Sequence, residues 1–316
     1  MSLYESVRAV ASASGSGPLD WDAAVDAAKE ATPPGRLDLT PEMEAAYASD
    51  VRDARERVRE VSGVHFAVPK TLEIQNRHHW MEANVPTFRR AFEPLEGQEV
   101  ALPGVSNTVN TGTMAVALAF IARHVLGQYD PLLLADGDEH DLYFVHPNIV
   151  KAADTLDVDF QRFRRWIAFH EVTHAAEFGA APWLSDFLGD RMRAGVSDLA
   201  DAKVAKDAFR DLNVAMTAVE GYAELLMDEA FDDDYDDLRR KLDERRNRTN
   251  VSSLVGRLLG FQLKQKQYER GRAFFDDVVD ARGIEAAARV WDGPDYLPTD
   301  AELDNPDAWL ARIPRE

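Results

Sequence analysis

The sequence contains no cysteine in its 316 residues. This absence excludes disulfides, thiolate nucleophiles and metal sites with cysteine ligands. A zinc ion in this protein would therefore be held by histidine and carboxylate side chains. Long apolar runs are also missing, and the most apolar stretch, Met114 to Leu126, is too short to span a bilayer. Residues 1–18 lack the apolar segment of a signal peptide, so we expect a cytoplasmic protein.

Lysine is scarce, and positive charge is scarce in general. Only 8 of the 36 basic residues are lysine, and 56 acidic residues bring the net charge to −20. Nucleic acid and anionic membrane surfaces are poor partners for such a chain, because both would repel it. An acid-rich, lysine-poor composition is typical of a salt-rich cytosol, where ions screen the repulsion among carboxylates. We therefore expect a halophilic protein; its oligomeric state does not follow from these features.

The chain is long enough to bury a large core. Residues 1–18 end in ASASGSG and are predicted to be a flexible tail. Residues 19–316 are predicted to form a single domain, with two packed subdomains, 19–180 and 181–316, as the alternative. Apolar periodicity predicts a mainly α (α+β) fold with helices over 19–31, 40–61, 76–95, 108–127, 198–229 and 254–279. The runs 131–135 and 141–145 are predicted to form a β-hairpin with an edge on which an extended peptide could pair.

The most informative stretch is His170-Glu171-Val172-Thr173-His174, an HExxH motif. Two histidines four residues apart on a helix lie one turn above each other, so both imidazoles can bind one Zn²⁺. Glu171 lies at the edge of the same face, where its carboxylate can take a proton from water without being a ligand. The alternative is a helix with two partly buried histidines, which chance alone produces in some chains.

The sequence around this motif favours a metal site. Phe163, Trp166, Ile167 and Phe178 share the helical face of the two histidines, which should therefore point into the interior. The chain offers an N-cap before this helix and stop signals after it; these are Asp157 or Asp159, and then Gly179 and Pro182. A buried cluster of polar side chains without partners is costly, and a bound metal removes that cost.

A third ligand is expected from the segment 198–229. Glu220 lies within an apolar helical stripe formed by Leu212, Met216, Val219, Ala223 and Met227, where a carboxylate needs a partner. Glu224 and Asp228 follow at intervals of four and are predicted to support the ligands, with Glu224 accepting a hydrogen bond from a ligating histidine. Gly221 should let this helix approach the HExxH helix closely. Glu177 lies about 10 Å along the helix from His170, so it should lie past the metal.

Several segments together resemble a zincin-like metallopeptidase family whose members are often labelled as associated with biosynthesis of the deazaflavin coenzyme. The resemblance covers roughly residues 19 to 312 and is carried by LGQYD, LYFVHPNIV, HEVTHAAEF with PWL, EGYAELLMD, QYERG and RVWDGPDYLPT. It implies a mostly α-helical zincin-like fold with His170, Glu171 and His174 in the metal site. It implies no particular substrate, and the sequence shows no deazaflavin-binding feature.

The pair Glu220 and Glu224 is also similar to the ExxxD motif of gluzincins, in which the first acid is a ligand and the second supports a ligating histidine. This chain has Glu in place of the second Asp, and 45 residues separate His174 from Glu220. The resemblance and the residues together predict a zinc-dependent hydrolase of peptide or protein substrates. A metal-activated water would attack the amide with Glu171 as general base. The candidates for the oxyanion donor are Tyr222, Tyr268 and His146.

A different class of function remains open at this point. The same fold could be a binding scaffold that holds a structural metal and has no turnover. An intact Glu171 argues against the scaffold, because a structural site needs no general base. A structural zinc site would also have four protein ligands, which leaves no open position.

Overall fold

The computed structural model describes residues 19–96, 103–130, 141–200, 206–231, 235–248 and 261–314. The predicted tail, residues 1–18, lies outside this part, and the division of the remainder into one domain or two stays a prediction. The described residues form twelve α-helices: α1 (Trp21–Glu30), α2 (Pro41–Ser62), α3 (Arg77–Glu96), α4 (Pro103–Ala122), α5 (His146–Leu156), α6 (Phe160–Ala180), α7 (Leu184–Ala200), α8 (Lys206–Ala230), α9 (Tyr235–Arg248), α10 (Phe261–Arg282), α11 (Ile284–Ala288) and α12 (Pro306–Arg312).

Three strands and three 3-10 turns complete these elements. The strands are β1 (Thr71–Gln75), β2 (Gly127–Asp130) and β3 (Asp141–Val145), in the order β1-β3-β2. The 3-10 turns are Arg289–Trp291, Pro294–Tyr296 and Glu302–Asp304. The mainly α architecture with a small sheet confirms the predicted fold class. None of the helices in these ranges is long and apolar enough to cross a membrane.

The helix ends follow the local signals in the sequence. Thr40 caps α2 by accepting a hydrogen bond from the Met43 N–H at 3.3 Å, and Pro41 occupies the first turn. Asp159 caps α6 by accepting from the Arg162 N–H at 2.8 Å. The predicted helix over 198–229 is wrong at its start, because α7 extends to Ala200 and a separate helix, α8, begins at Lys206.

The sheet differs from the predicted hairpin in one strand. β3 has the predicted bounds, but its antiparallel partner is β2, which ends before the expected run 131–135. That run lies outside the described residues. β1 was not predicted and pairs parallel to β3, with Thr71 opposite Asp141 and Gln75 opposite Val145. The result is a mixed sheet whose edge strand β2 packs against α6.

The described residues form two apolar clusters. The larger one joins α2, α6, α8 and α10 with the sheet and the C-terminal turns, and the smaller one packs α1, α3 and α4 together. A buried ion pair fixes α2 against α6, since the Arg164 Nε donates to Asp50 Oδ2 at 2.6 Å and both residues are 7% exposed. Burial is the main cause that raises the pKa of Asp50, although Arg164 opposes it.

Gly221 makes a close helix crossing, but not with the expected partner. A Cβ on Gly221 would lie 2.3 Å from the carbonyl carbon of Gly271 on α10. A Cβ on Gly271 would lie 2.2 Å from the Thr217 carbonyl oxygen on α8. The prediction that Gly221 brings α8 close to the HExxH helix is therefore wrong. The residue places α8 against α10 instead, backbone to backbone.

Candidate metal centre

The two histidines of the HExxH motif and Glu220 meet where α6 packs against α8. The Nε2 atoms of His170 and His174 each lie 4.0 Å from Glu220 Oε2. One ligand atom from each of these three residues lies within 4.8 Å of the others. The spacing of the motif on one helix and the apolar stripe on the other thus bring together the three side chains that the sequence singled out.

Burial around the three residues is high. The side chains of His170 and His174 are 11% and 13% exposed, and that of Glu220 is 3% exposed. The Trp166 ring stacks on His170 with centroids 5.5 Å apart and planes 14° apart. An apolar wall of this kind lowers the local dielectric and strengthens the electrostatic interactions inside the site.

Glu177 orients His174, a role that sequence reasoning missed. Its Oε2 lies 2.9 Å from His174 Nδ1, and its side chain is 0% exposed. The bond leaves Nε2 of the same ring directed at Glu220. The prediction that Glu177 lies past the metal asked only whether this residue is a ligand. It did not consider whether Glu177 could orient a histidine that is one. The signal was available, because residues three apart on a helix are neighbours.

The charges in this cluster shift the pKa values of its members. Burial lowers the pKa of His174, but the Glu177 hydrogen bond and the charges of Glu177, Glu220 and Glu171 outweigh it and raise this pKa to about 9. Burial raises the pKa of Glu177 to about 7 against the opposing effect of His174. Three carboxyl groups around two imidazoles therefore form a site that favours positive charge.

Glu171 is held by the neighbouring strand. Its Oε2 accepts a hydrogen bond from the Tyr129 backbone N–H on β2 at 2.8 Å, and the residue is 7% exposed. The sheet thus lies beside the HExxH helix, as predicted, and its contact with the motif is through Glu171.

The two further acids of α8 lie in other environments. Glu224 Oε2 accepts from the Tyr235 hydroxyl at 3.5 Å, while the bond to His174 Nδ1 comes from Glu177. At His174 the orienting role therefore belongs to Glu177, and the support of a ligating histidine by Glu224 stays a prediction. Asp228 pairs with Arg239 at 3.0 Å and also with Arg272. Its carboxylate is occupied by two guanidinium groups and supports the packing of α8 against α9 and α10.

Two of the three oxyanion candidates, Tyr222 and His146, can be placed in the described part of the structure. Tyr222 is 1% exposed, and its ring packs against Phe275 and Trp291 with centroids 5.3 and 5.5 Å away. His146 is 7% exposed, and its Nδ1 lies 2.9 Å from the Tyr47 hydroxyl. Burial, and then the charge of Glu177, raises the pKa of Tyr222, so this side chain lies near the acidic cluster. The role of either residue as an oxyanion donor stays a prediction. The side chain of Tyr268, on α10, lies outside the described part of the structure.

A family described as zincin-like metallopeptidase matches this chain over residues 19–202 and 185–310. The chain belongs to the zincin-like metallopeptidase family. The two matches together span nearly all of the described residues, including both helices of the metal centre. Membership places the protein among metal-dependent hydrolases whose metal is typically zinc, and His170, His174 and Glu220 could hold that metal.

A solved structure supports the same assignment. The chain is similar to a proposed hydrolase with a novel fold from Chloroflexus aurantiacus, at 30% sequence identity and a TM-score of 0.78. The similarity covers 94% of this chain and 99% of the other. No curated protein matches the chain at a significant level. Membership of the zincin-like family thus indicates the fold and a hydrolytic reaction. The ligands, the general base and the substrate have to be inferred from the geometry of the site.

Proposed function

We propose that this zincin-like protein is a zinc peptidase in which His170, His174 and Glu220 are the metal ligands and Glu171 is the general base. The observation that carries the proposal is the convergence of three donor atoms of the right chemistry from two helices. Two imidazole nitrogens and one carboxylate are a known ligand set of catalytic zinc, in which the fourth position stays open.

The distances fit a zinc ion after small side-chain movements. Donor atoms bound to one tetrahedral zinc, at bonds of about 2.0–2.1 Å, lie about 3.3 Å apart. The two histidine nitrogens lie 4.0 Å from the Glu220 oxygen, so these two pairs have to close by well under 1 Å. All three donor atoms lie within 4.8 Å of one another, so the third pair closes by about 1.5 Å at most. When bound, zinc supplies a Lewis acid that polarises the scissile carbonyl and makes water more acidic. The negative charge of Glu177, Glu220 and Glu171 would favour its binding.

Glu171 performs the proton transfer in this proposal. Its carboxylate lies close enough to raise the pKa of His174 by its charge, and it accepts a hydrogen bond from the Tyr129 backbone N–H. It would accept a proton from the attacking water and later deliver it to the leaving amide nitrogen. A peptide or protein is the proposed substrate, because the family acts on amide bonds.

The scaffold alternative is less well supported by the ligand count. Among the described residues, the group that satisfies ligand geometry has three members, whereas structural zinc sites are usually closed by four. A scaffold would also have no use for a buried carboxylate at position 171.

The test combines metal analysis with a single charge-neutral substitution. Protein purified without chelator should contain about one zinc per chain, and it should cleave members of a peptide library in high salt. Glu171→Gln should keep the zinc and the fold but lower turnover by roughly 10²–10⁴-fold. Glu229→Gln makes the same chemical change at an exposed position of α8 and should have no effect. Absence of a transition metal, or full turnover by Glu171→Gln, would overturn the proposal.

A further inference from the structure

The backbone N–H and C=O groups of β2 point alternately to the two edges of the strand, and only one edge faces β3. The Val145 N–H donates to the Leu126 carbonyl at 2.8 Å, which makes these two residues a hydrogen-bonded pair. In an antiparallel ladder such pairs alternate, so the next one is Gln128 with Tyr143. The backbone groups of Gly127 and Tyr129 therefore point away from β3, towards the free edge of the strand.

That edge is engaged by Glu171. The outward N–H of Tyr129 donates to Glu171 Oε2 at 2.8 Å. The hydrogen bond is buried, because Tyr129 and Glu171 are 8% and 7% exposed. The edge predicted to pair with an extended peptide belongs to the run 131–135, outside the described residues, and on β2 the outward N–H of Tyr129 is bonded to the carboxylate.

Gly127 makes the contact possible. A Cβ at this position would lie 2.7 Å from both Cγ and Oε1 of Glu171 and 2.8 Å from Cγ2 of Ile167. Real Cβ atoms do not approach heavy atoms this closely, so any larger residue would push the Glu171 side chain or the strand away. The missing side chain thus lets β2 lie directly against the HExxH helix.

We infer that β2 is a positioning strand for the general base, with the Tyr129 N–H and Gly127 as its positioning residues. The inference rests on the proposed function of Glu171. The N–H fixes one carboxylate oxygen, and the space left at Gly127 lets the side chain keep this rotamer against the strand. Fixing a catalytic group in advance matters, because a displacement of about 1 Å can cost about 100-fold in rate.

The first experiment is Gly127→Ala in the full-length zinc protein. We expect kcat to fall roughly 10–100-fold with KM changed less than about twofold, because the added methyl displaces the base and not the substrate. Zinc content should stay at its wild-type value, since the three atoms nearest to the added methyl belong to Glu171 and Ile167 and not to a proposed ligand. Gly179→Ala is the matched control. A Cβ at position 179 would lie 2.7 Å from Phe66 Cβ, which is as close as the Gly127 Cβ would come to Glu171. Gly179 lies on the helix that carries Glu171, about 12 Å farther along its axis. It should lower stability and leave kcat unchanged.

A double-mutant cycle separates this inference from the proposed function. If Gly127 acts through Glu171, Gly127→Ala should have no further effect on kcat in a Glu171→Gln background. An equal loss of kcat in both backgrounds would overturn the inference while leaving the proposed function intact. Full activity of Glu171→Gln alone would overturn the proposed function, and the inference with it.

A backbone substitution covers the case in which Gly127→Ala fails to fold. Replacing Tyr129 by its α-hydroxy acid turns the amide into an ester, which removes the N–H but keeps the side chain. We expect kcat to fall about 10-fold or more with zinc retained, whereas Tyr129→Phe, which keeps the N–H, should keep kcat. An ester variant with wild-type kcat would overturn the inference.

Discussion

Glu177 Oε2 accepts a hydrogen bond from His174 Nδ1 at 2.9 Å, and both residues lie on α6. The bond fixes the ring and the tautomer, so that Nε2 is the nitrogen that faces Glu220. In gluzincins the supporting acid follows the ligating glutamate on the other helix. In this chain the supporting acid lies three residues after the second histidine, on the motif helix itself.

Glu177→Ala should therefore weaken zinc binding about 10–100-fold without abolishing it. Glu177→Gln should cost less, because its amide oxygen can still accept from Nδ1–H. Competition titrations with a chromophoric chelator would measure both affinities. Glu224→Ala is the informative comparison: loss of affinity there, with none in Glu177→Ala, would return the supporting role to Glu224.

Removal of the Glu220 carboxylate should weaken zinc binding more than removal of the Glu177 carboxylate. We expect Glu220→Ala to lose stoichiometric zinc, as measured by elemental analysis, because two histidines alone leave the site with too few protein ligands. Asp228→Ala, two turns along α8, should keep its zinc, since that carboxylate pairs with Arg239 and Arg272. Zinc retained by Glu220→Ala would exclude Glu220 as a ligand.

Chelation of the wild-type protein should lower its melting temperature. A ligand at about 1,000 times its Kd stabilises the folded state by about 4 kcal/mol, and a chelator removes that term. Glu220→Ala provides the control, because its melting temperature should not respond to the chelator. A response equal to that of the wild type would show that the chelator acts elsewhere.

His146 should make the folded state sensitive to acid. Burial, and then the charge of Arg164, lowers the pKa of His146 in the folded state, where its ring contacts Tyr47 and Phe160. The unfolded chain has the ordinary value of about 6.5 and so binds the proton more readily. Stability should therefore fall as the pH drops below about 6.5, by at most about 1.4 kcal/mol per pH unit from this group.

His146→Asn keeps a polar partner for Tyr47 and removes the titration. Urea unfolding at pH 7.5 and at pH 5.5 should show a smaller loss of stability in His146→Asn than in the wild type. Equal losses in the two proteins would mean that His146 stays neutral, or is equally accessible to protons, in both states.

Salt should stabilise the protein. The net charge of −20 lies on one chain, and the Debye length shrinks from about 10 Å at 0.1 M salt to about 3 Å at 1 M. The melting temperature should rise over this range of KCl concentration. A variant with exposed acids changed to amides, Asp26→Asn, Glu56→Gln and Glu285→Gln, should respond less. A flat or falling melting temperature would contradict the expectation of a halophilic protein.

The HExxH helix could be predicted from the sequence because its signals are local. The cap at Asp159 and the apolar face of Trp166 and Ile167 act within a few residues of the motif. The third candidate ligand followed from a similar local conflict, a carboxylate at position 220 within an apolar stripe. Helical periodicity in the sequence was therefore enough to predict most of the residues of the metal centre.

The strand β2 could not be predicted in this way. Its sequence, Gly127-Gln128-Tyr129-Asp130, lacks the alternation of apolar and polar residues that marks a strand. It is a strand because β3 pairs with one edge and Glu171 bonds to the other. The prediction of the helix that Gly221 contacts was wrong for a related reason. A glycine indicates that something comes close, but the sequence does not tell which backbone that is.

The Gly221–Gly271 crossing has a consequence for how this protein can diverge. A methyl group at either position would meet main-chain atoms, which cannot move aside as a side chain can. A relative with a larger residue at one of these positions must hold α8 and α10 farther apart, even if the other position is still glycine. Because Glu220 directly precedes Gly221, such a relative keeps this carboxylate beside the two histidines only if α10, and not α8, is the helix that moves. The packing of Gly271 thus constrains where Glu220 can lie, although α10 carries none of the three candidate ligands.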